Sequence, residues 1–390
     1  MRAVAMVTGW DTADVVRRWP GLPALDGDVS ADACVVGLGA SGLAAVSALV
    51  ERGLSVVGID AARVAAGAAG RNGGFLLGGP ALFLHVAIAR WGEQAAVALY
   101  RETLREIDCL EAELGTGVVR RAGSIRLAGL PGAVHSAAEE ADRARESADC
   151  TAHAEALRTH GIAVEGYEGP LGTGIFLPDD AAINPAARAI AAASTLADRA
   201  RLHEHTPALG VSPGQVRTAR GLVRAGLIIV AVDGGLAELL PVLAPRVRTA
   251  RLQMLSTRAL VGGRLPCPVY GRWGYDYGQQ TPDGRLYIGG GRDLYEESEW
   301  TARAEPTPAV QRYLEVVAAR MAGRPVDVEH RWGASVGFTA DARPLCTPVA
   351  SGVIAVGGYN GTGNLIGPLA ARAAVAAGLD AVRPPPYLSR

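Results

Sequence analysis

Short apolar runs alternate with helical spacings in the first part of the chain. Residues 33–38 (ACVVGL) form an apolar run that turns glycine-rich, and residues 40–52 have apolar positions at helical intervals. Residues 54–60 (LSVVGID) are apolar again and end on an acid. Short apolar runs indicate buried strands, and intervals of three or four indicate a helix. The pattern therefore predicts a βαβ unit of about 30 residues.

The remaining pattern predicts a mixture of helices and strands. Apolar residues have helical spacing at residues 81–116, 131–160, 186–202 and 306–323. Strand patterns occupy residues 117–128, 203–233 and 248–292, and the tail ends in a strand, a glycine turn and a final helix. The run LIIVAV at 227–232 is typical of a strand buried on both faces. Residues 61–80 are too glycine-rich for a regular element, and such a long loop is usually functional or disordered.

Composition and charge narrow the class of protein. The chain has 390 residues, 49% hydrophobic and 20% charged, as in ordinary globular proteins, and its length suggests two or three domains. A net charge of −1 gives no attraction to nucleic acid or an anionic membrane. No apolar run is long enough for a membrane span or a secretory signal. We therefore expect a cytoplasmic monomer or homo-oligomer without a nucleic-acid or membrane partner.

The reactive residue types exclude several kinds of chemistry. The five cysteines are scattered and lack CxxC spacing, so neither a disulfide framework nor a metal site is expected. The sequence contains no lysine, which excludes a Schiff base and any activation of oxygen by lysine. All 38 basic residues other than histidine are arginines, whose guanidinium groups bind carboxylate or phosphate in a fork.

A dinucleotide-binding signature lies inside the predicted βαβ unit. Gly37, Gly39 and Gly42 form a GxGxxG between the first strand and the helix, and Asp60 follows 18 residues later. The glycines allow a tight turn, close approach to a pyrophosphate and close helix packing. The helix N-terminus favours phosphates, and the acid can accept hydrogen bonds from ribose hydroxyls. The signature predicts a dinucleotide without choosing between NAD and FAD.

Four later blocks resemble one family in the correct order. Residues 67–75 (GAAGRNGGF) resemble the second flavin motif of the D-amino-acid-oxidase-like FAD-dependent oxidoreductases, in a form most like that of the gamma-glutamylputrescine oxidases. Residues 203–208 with 228–234 resemble the strands that flank the adenosine half, and residues 331–344 resemble the penultimate strand and turn. Residues 357–364 (GGYNGTGN) are similar to the final flavin motif.

The resemblance implies an α/β fold with FAD as cofactor. It implies a Rossmann-like FAD-binding domain of the glutathione-reductase type and a substrate domain made of an antiparallel sheet with helices. The FAD-binding domain would comprise residues 31–80, 175–245 and 326–390, after an N-terminal arm at 1–30. The substrate domain would comprise residues 81–174 and 246–325.

The resemblance also assigns residues to the cofactor. The expected FAD-binding residues are Gly37, Gly39, Ala40, Ser41, Gly42, Asp60, Ala61, Arg63, Gly70, Arg71, Asn72, Gly73, Gly74, Ala208, Ala231, Gly234, Gly358, Asn360, Gly361, Thr362, Gly363 and Asn364. In the final motif, Gly361 and Gly363 would let backbone N–H groups approach the pyrimidine edge of the flavin. Donors there stabilise the negative charge that develops when hydride reaches flavin N5.

Three departures from the family pattern narrow the chemistry. The position matching the cysteine that binds flavin covalently in some relatives is about Ala334, and Cys346 lies beyond the turn, so FAD is expected to be non-covalent. Val336 aligns with the arginine that grips the substrate carboxylate in amino-acid-oxidising relatives. Tyr287 lies near the position of the oxygen-activating lysine, so either O2 or another acceptor could reoxidise the flavin.

These observations favour oxidation of an amine. A neutral amine can pass hydride to flavin N5 and leave as an imine that hydrolyses, which requires orientation and dry walls more than a titrating group. The candidates for catalytic and wall positions are Tyr275, Tyr277, Gln279 and Tyr359, with Trp273 as a further wall residue. The alternatives are an amino-acid oxidase or dehydrogenase whose carboxylate anchor has moved, for example to Arg272 or Arg292, and a flavin-binding protein without turnover.

Overall fold

The computed structural model describes residues 7–134 and 136–389, so the first six residues of the predicted arm lie outside the described residues. The chain forms two compact units. The first unit comprises Met1–Thr12, Asn72–Ile183 and Arg251–Ala334, and the second comprises Ala13–Arg71, Asn184–Ala250 and Ser335–Arg390. Which unit holds the cofactor and which the substrate stays a prediction.

The second unit is built on a largely parallel sheet. Among the described residues, its central strands lie in the order Leu345–Ala350, Val353–Gly357, Leu222–Val230, Val29–Val36, Val56–Ile59 and Arg201–His203. Neighbours along this order are parallel, except that Leu345–Ala350 runs antiparallel to Val353–Gly357. Ala208–Ser212 and Gln215–Thr218 complete the sheet as antiparallel additions.

The predicted βαβ unit is present at the centre of this sheet. The last four residues of Val29–Val36 and all of Val56–Ile59 are buried, as expected for strands covered on both faces. The helix Ala40–Glu51 connects them. The other helical segments of this unit are Asp14–Arg17, Ala68–Arg71, Pro185–Leu196, Asp233–Gly235, Leu236–Leu239, Pro241–Leu243 and Gly363–Leu379.

The first unit contains a mainly antiparallel sheet. Its order is Val328–Phe338, Arg248–Thr257, Leu286–Gly289, Asp276–Gln280, Val269–Gly271, Ser124–Leu127, Gly172–Leu177 and Glu165–Gly169. Residues 335–338 of the strand Val328–Phe338 and residues 248–250 of the strand Arg248–Thr257 belong to the second unit. One pair departs from the predicted antiparallel pattern, because Val269–Gly271 runs parallel to Ser124–Leu127. A short antiparallel pair joins Phe75–Leu76 to Ala181–Ala182.

One face of this sheet forms the apolar core of the first unit. Ile125, Val269 and Ile288 pack with Leu314 and Met321 of the helix Pro308–Ala322. The register places alternate residues on the opposite face. The remaining helical segments of this unit are Gly9–Thr12, Leu84–Trp91, Glu93–Leu114, Ala137–Thr159, Arg272–Gly274, Arg292–Tyr295 and Glu296–Glu299.

The structure corrects three local predictions. Strand structure within 117–128 is limited to Ser124–Leu127, apart from a single bridge at Arg120. The glycine-rich segment 61–80 contains the short helix Ala68–Arg71 and the strand Phe75–Leu76. The strand pattern predicted to begin at residue 203 is interrupted, because the strand Arg201–His203 ends there and His205 adopts a φ of +50°, which a strand cannot accommodate.

The turn at Gly37 and Gly42 leaves no room for a side chain, so we expect a substitution there to destabilise the protein. A Cβ at position 42 would lie 1.7 Å from the backbone oxygen of Gly37. We expect Gly42→Ala to lower the free energy of unfolding by about 1–3 kcal/mol or more, measured by thermal unfolding. The control is Gly226→Ala, whose added Cβ would lie 3.7 Å from its nearest atom. Equal stability of the two variants would contradict the crowding.

Candidate functional site

The glycine turn of the second unit ends at a helix with free backbone donors. Gly37 has a φ of +97°, and a Cβ there would lie 2.6 Å from the backbone oxygen of Ala231. The helix Ala40–Glu51 begins without a side-chain cap. Its first N–H groups therefore remain available to an anion, and the helix dipole favours negative charge at this end. Ser41 is committed elsewhere, since its hydroxyl donates to the hydroxyl of Tyr359 at 2.7 Å.

Asp60 follows the second strand of the βαβ unit and is half-buried. Its two carboxylate oxygens accept hydrogen bonds from the N–H groups of Leu38, at 2.8 Å, and Ala62, at 2.9 Å. Burial raises the pKa of this carboxyl above its ordinary value. Each carboxylate oxygen has a second lone pair, so Asp60 can brace the turn and still accept from ribose. Ala61 is exposed beside it.

The second glycine-rich segment is divided between the two units. In the second unit, a Cβ on Gly70 would lie 2.2 Å from the backbone oxygen of Ala65, so the short helix Ala68–Arg71 needs this glycine. Arg63 donates to the backbone oxygens of Val16 and Trp19, which ties it to the described part of the predicted arm. Only Asn72, Gly73 and Gly74 of the predicted cofactor residues belong to the first unit.

The final glycine motif of the second unit is built around one buried carboxylate. Asp233 accepts hydrogen bonds from the N–H groups of Gly337, at 3.0 Å, Gly358, at 2.9 Å, and Tyr359, at 3.3 Å. Asp233 itself adopts a φ of +41°. Burial raises the pKa of this carboxyl to about 6, although the backbone donors oppose the shift. The carboxylate thereby joins the penultimate strand to the final turn.

Asn360 fixes the shape of the same turn. It has a φ of +55°, donates to the backbone oxygen of Gly358 at 2.7 Å, and accepts from the N–H of Thr339 at 3.0 Å. The hydroxyl of Thr362 donates to the backbone oxygen of Tyr359 at 2.7 Å. The helix Gly363–Leu379 then begins without a side-chain cap, as does the helix Ala40–Glu51.

The remaining predicted cofactor positions of the second unit lie at strand ends. Ala208 begins a strand, and Ala231 follows Leu222–Val230, with its N–H donating to the backbone oxygen of Val36 at 2.8 Å. A Cβ on Gly234 would meet the backbone of Ser335 at 2.8 Å. Gly361, by contrast, has open space where a Cβ would point and a φ of +92°. All these assignments to the cofactor remain predictions.

In the first unit, an aromatic face lies opposite the apolar core. The register pairs Arg126 with Tyr270, Tyr270 with Tyr277, and Tyr277 with Gly289, so these four residues form one row across the sheet. Phe75 packs edge-on against Tyr270, with ring centroids 5.1 Å apart, and against Tyr277, at 5.8 Å. We call Phe75, Arg126, Tyr270 and Tyr277 the aromatic face.

The segment Asn72–Phe75 is held against this face. The Nε2 of Gln279 donates to the backbone oxygens of Gly73 and of Gly74, the latter at 3.1 Å. A Cβ on Gly73 would lie 3.2 Å from the ring of Tyr277. Gln279 and Tyr277 are thus brought together with the glycines of the second flavin motif, whereas Tyr359 lies in the second unit.

Several other predicted residues have different surroundings. Tyr275 is 39% exposed and lies under the guanidinium of Arg292, so it does not form a dry wall in the first unit. Trp273 donates through Nε1 to Asp149 at 2.7 Å. The guanidinium of Arg272 is shared between Asp276, at 2.8 Å, and Asp293, so it is not a free carboxylate anchor.

The sequence analysis did not identify Arg126, Tyr270 or the structural role of Asp233. A signal existed for Arg126, which stands alone as a charge in the run SIRL of a predicted strand. Asp233 lies in the block 228–234 that resembles the family, but its three hydrogen bonds to distant backbone groups cannot be predicted from the sequence. No group of histidine, cysteine or acidic residues within the described ranges could hold a metal.

Comparison with known proteins decides the family. The sequence profile of the DAO family, described as FAD dependent oxidoreductase, matches residues 32–377. The chain belongs to this family. Its cofactor is therefore FAD, and its chemistry is that of an oxidoreductase.

Full-length relatives agree with the DAO assignment. A probable oxidoreductase OrdL of Rhizobium meliloti is 27% identical over 92% of this chain and 85% of its own length. The gamma-glutamylputrescine oxidoreductase of Escherichia coli is 26% identical over 87% of this chain and 81% of its own length. Glycine oxidase from Geobacillus kaustophilus shares the fold with a TM-score of 0.68 at 20% identity, covering 91% of this chain and 96% of that one.

No described helix is long and apolar enough to cross a membrane.

The second unit fits the FAD of this DAO family. The crowded glycines 37 and 42 form a cradle that any Cβ would fill, and two helices begin there with backbone donors that no side chain caps. Such N-termini suit a pyrophosphate or the electron-rich edge of a flavin. The fit supports the predicted residues without testing each one.

Asp233 is expected to hold the final motif in the shape that FAD needs. Asp233→Asn places an amide N–H against a backbone N–H, so we expect the free energy of unfolding to fall by about 1–3 kcal/mol and FAD per chain to decrease. Thermal unfolding and the flavin absorbance of the purified protein measure the two effects. Asp198→Asn, at an exposed site, is the control. Full FAD content with unchanged stability in Asp233→Asn would contradict the assignment.

Glu146 of the first unit predicts a pH dependence of stability. Its carboxylate accepts N–H groups from Gly129 and Trp273, yet burial raises its pKa from 4.5 to about 7. The folded state therefore retains a proton that the unfolded state loses, so this stabilisation is present at low pH and is lost as pH rises through 7. We expect the melting temperature of the wild type to fall more steeply between pH 5 and 8 than that of Glu146→Gln. Parallel curves would refute the raised pKa.

Proposed function

We propose that this protein oxidises a carbon–nitrogen bond of a small amine, with FAD as electron acceptor. The aromatic face of the first unit carries this proposal, because it offers flat apolar walls and hydroxyl groups beside the second flavin motif. FAD supplies two-electron chemistry when bound, accepting hydride at flavin N5. The product on the substrate side is an imine, which water hydrolyses.

The identities of the relatives support an amine or amino-acid substrate. One full-length relative is named for gamma-glutamylputrescine, and structural neighbours include glycine oxidase and an L-amino acid deaminase from Proteus vulgaris with a TM-score of 0.70 at 17% identity. Val336 favours the amine among these choices. It is buried in the strand Val328–Phe338, where amino-acid-oxidising relatives would place an arginine.

The aromatic face can orient a neutral amine without titrating it. Tyr270 and Tyr277 are half-buried, and burial raises the pKa of both phenols above their ordinary value, so their hydroxyls stay protonated at neutral pH. Protonated hydroxyls can donate hydrogen bonds to a substrate and accept them from it. Gln279 holds the backbone of Gly73 and Gly74 and so acts as a positioning residue.

Anaerobic reduction of the flavin tests this function. A panel of primary and secondary amines and their α-carboxylated analogues would be mixed with the purified yellow protein without oxygen. We expect the flavin absorbance near 450 nm to bleach with at least one amine, and faster with the amine than with its α-carboxylated analogue. Faster reduction by the α-carboxylated form would favour the amino-acid oxidase instead.

The same experiment separates catalysis from simple flavin binding and defines the acceptor. Failure of every amine and amino acid to bleach the flavin would favour a flavin-binding protein without turnover. Admitting air to the reduced protein distinguishes O2 from another acceptor, since an oxidase regains its absorbance within a turnover time. Tyr277→Phe is expected to slow reduction by removing one hydroxyl, whereas Tyr167→Phe, in the edge strand Glu165–Gly169, is the control.

A further inference from the structure

Arg126 is a buried arginine without an acidic partner. It lies in the middle of the strand Ser124–Leu127 and is 8% exposed. Within the part of the chain that the structure describes, no group accepts a hydrogen bond from its guanidinium, and its Nε is fully enclosed without a partner. Because arginines are almost never buried unless paired, an uncompensated guanidinium at this site requires an explanation.

Two other arginines of the first unit, one buried and one half-buried, are paired with carboxylates. Arg251 forms two hydrogen bonds with the buried carboxylate of Glu299, at 2.7 and 3.0 Å. Arg272 is bound by Asp276 and Asp293. Arg126 is as buried as Arg251, at 8% against 6% exposed, but no described carboxylate forms an ion pair with it.

The two carboxyl groups that feel the charge of Arg126, those of Asp180 and Glu146, already accept hydrogen bonds from other donors. Asp180 accepts the hydroxyl of Ser124 at 2.6 Å and the N–H of Gly78 at 2.7 Å. Glu146 accepts backbone N–H groups, as described above. Burial raises the pKa of Asp180 to about 6 and that of Glu146 to about 7, and the charge of Arg126 offsets only part of each shift. Neither carboxylate lies within 4.0 Å of the guanidinium as an ion pair.

The guanidinium of Arg126 lies over two aromatic rings. Its central carbon lies 5.2 Å from the ring centroid of Phe83 and 5.7 Å from that of Tyr270. Ring faces attract a cation but do not use its N–H donors. The hydroxyls of Tyr270 and Tyr277, in the same row of the sheet, also form no hydrogen bond with another described residue. The guanidinium and two hydroxyls on this face therefore have donors that no described group uses.

We propose that Arg126 binds a carboxylate of the substrate that is remote from the carbon being oxidised, so that the substrate is an amine with a distal rather than an α-carboxylate. This deepens the proposed function and rests on it. Arg126 is linked through Tyr270 and Tyr277 to Gly73 of the second flavin motif, all within the first unit. A bidentate guanidinium–carboxylate pair would use the free donors and neutralise the buried charge.

Binding of a substrate-like anion tests the proposal without turnover. Phenylacetate and phenylacetamide have nearly the same shape and differ in charge, and either can pack against the rings. Titration calorimetry on the FAD-loaded wild type is expected to show phenylacetate binding at least about tenfold more tightly. Equal affinity for the two compounds would overturn the proposal.

Substitution assigns the preference to one residue. Arg126→Gln is expected to weaken phenylacetate binding by on the order of 30-fold or more, with little effect on phenylacetamide. Arg312→Gln, at an exposed position of the helix Pro308–Ala322, is the control and should bind as the wild type does. If Arg126→Gln does not retain FAD, Arg126→Lys replaces it, since it keeps the charge but not the fork and should give an intermediate loss. Unchanged preference in the folded variant would overturn the assignment.

Flavin reduction separates this proposal from the function on which it rests. For a pair such as 4-aminobutyrate and butylamine, Arg126→Gln should raise the substrate concentration needed for half-maximal reduction only for the carboxylated member. Reduction by both amines with no effect of Arg126→Gln would refute the role of Arg126 and leave amine oxidation intact. Tight, Arg126-dependent phenylacetate binding without reduction by any amine would refute amine oxidation alone.

Discussion

The second unit depends on backbone atoms approaching where no side chain can fit. The Cα of Gly42 faces the carbonyl of Gly37 so closely that a Cβ would lie 1.7 Å from the oxygen. This contact allows the helix Ala40–Glu51 to begin directly at the end of the first strand. Its free N–H groups are then available to an anion, such as the pyrophosphate of FAD. Crowding at glycine and exposure of backbone donors are two results of the same geometry.

The final motif is held by a buried carboxylate rather than by close packing of glycine backbone. Asp233 collects N–H groups from the penultimate strand and the last turn, and those groups could not be satisfied by regular sheet pairing. Burying a carboxylate is unfavourable, as its raised pKa indicates, but three donors compensate for much of the cost. The carboxylate thereby fixes backbone that is too irregular to be fixed by strand pairing.

In the first unit, one face of the sheet packs into the apolar core and the other carries the polar and aromatic side chains of the proposed site. Alternation along each strand directs Ile125 and Val269 into the core and Arg126 and Tyr270 to the aromatic face. The core face requires only apolar volume, so the opposite face is free to vary. Arg126 lies on this second face. Its charge is close to aromatic rings, and the carboxylates of Asp180 and Glu146 are already bound to other donors. The anion that we propose as its ligand would pair with this charge.

The sequence by itself determined the parts that rest on local rules. Glycine spacing, apolar periodicity and Asp60 predicted the βαβ unit and the dinucleotide, and the order of later motifs predicted the family and FAD. Tertiary structure alone decided which side chains meet. The rings beside Arg126 belong to Phe83 and Tyr270, which are far from it in the chain. Arg272, which was only an alternative carboxylate anchor, is bound by Asp293, 21 residues later. Local spacing specifies backbone conformation, whereas strand register and charge pairing depend on contacts that no short segment contains.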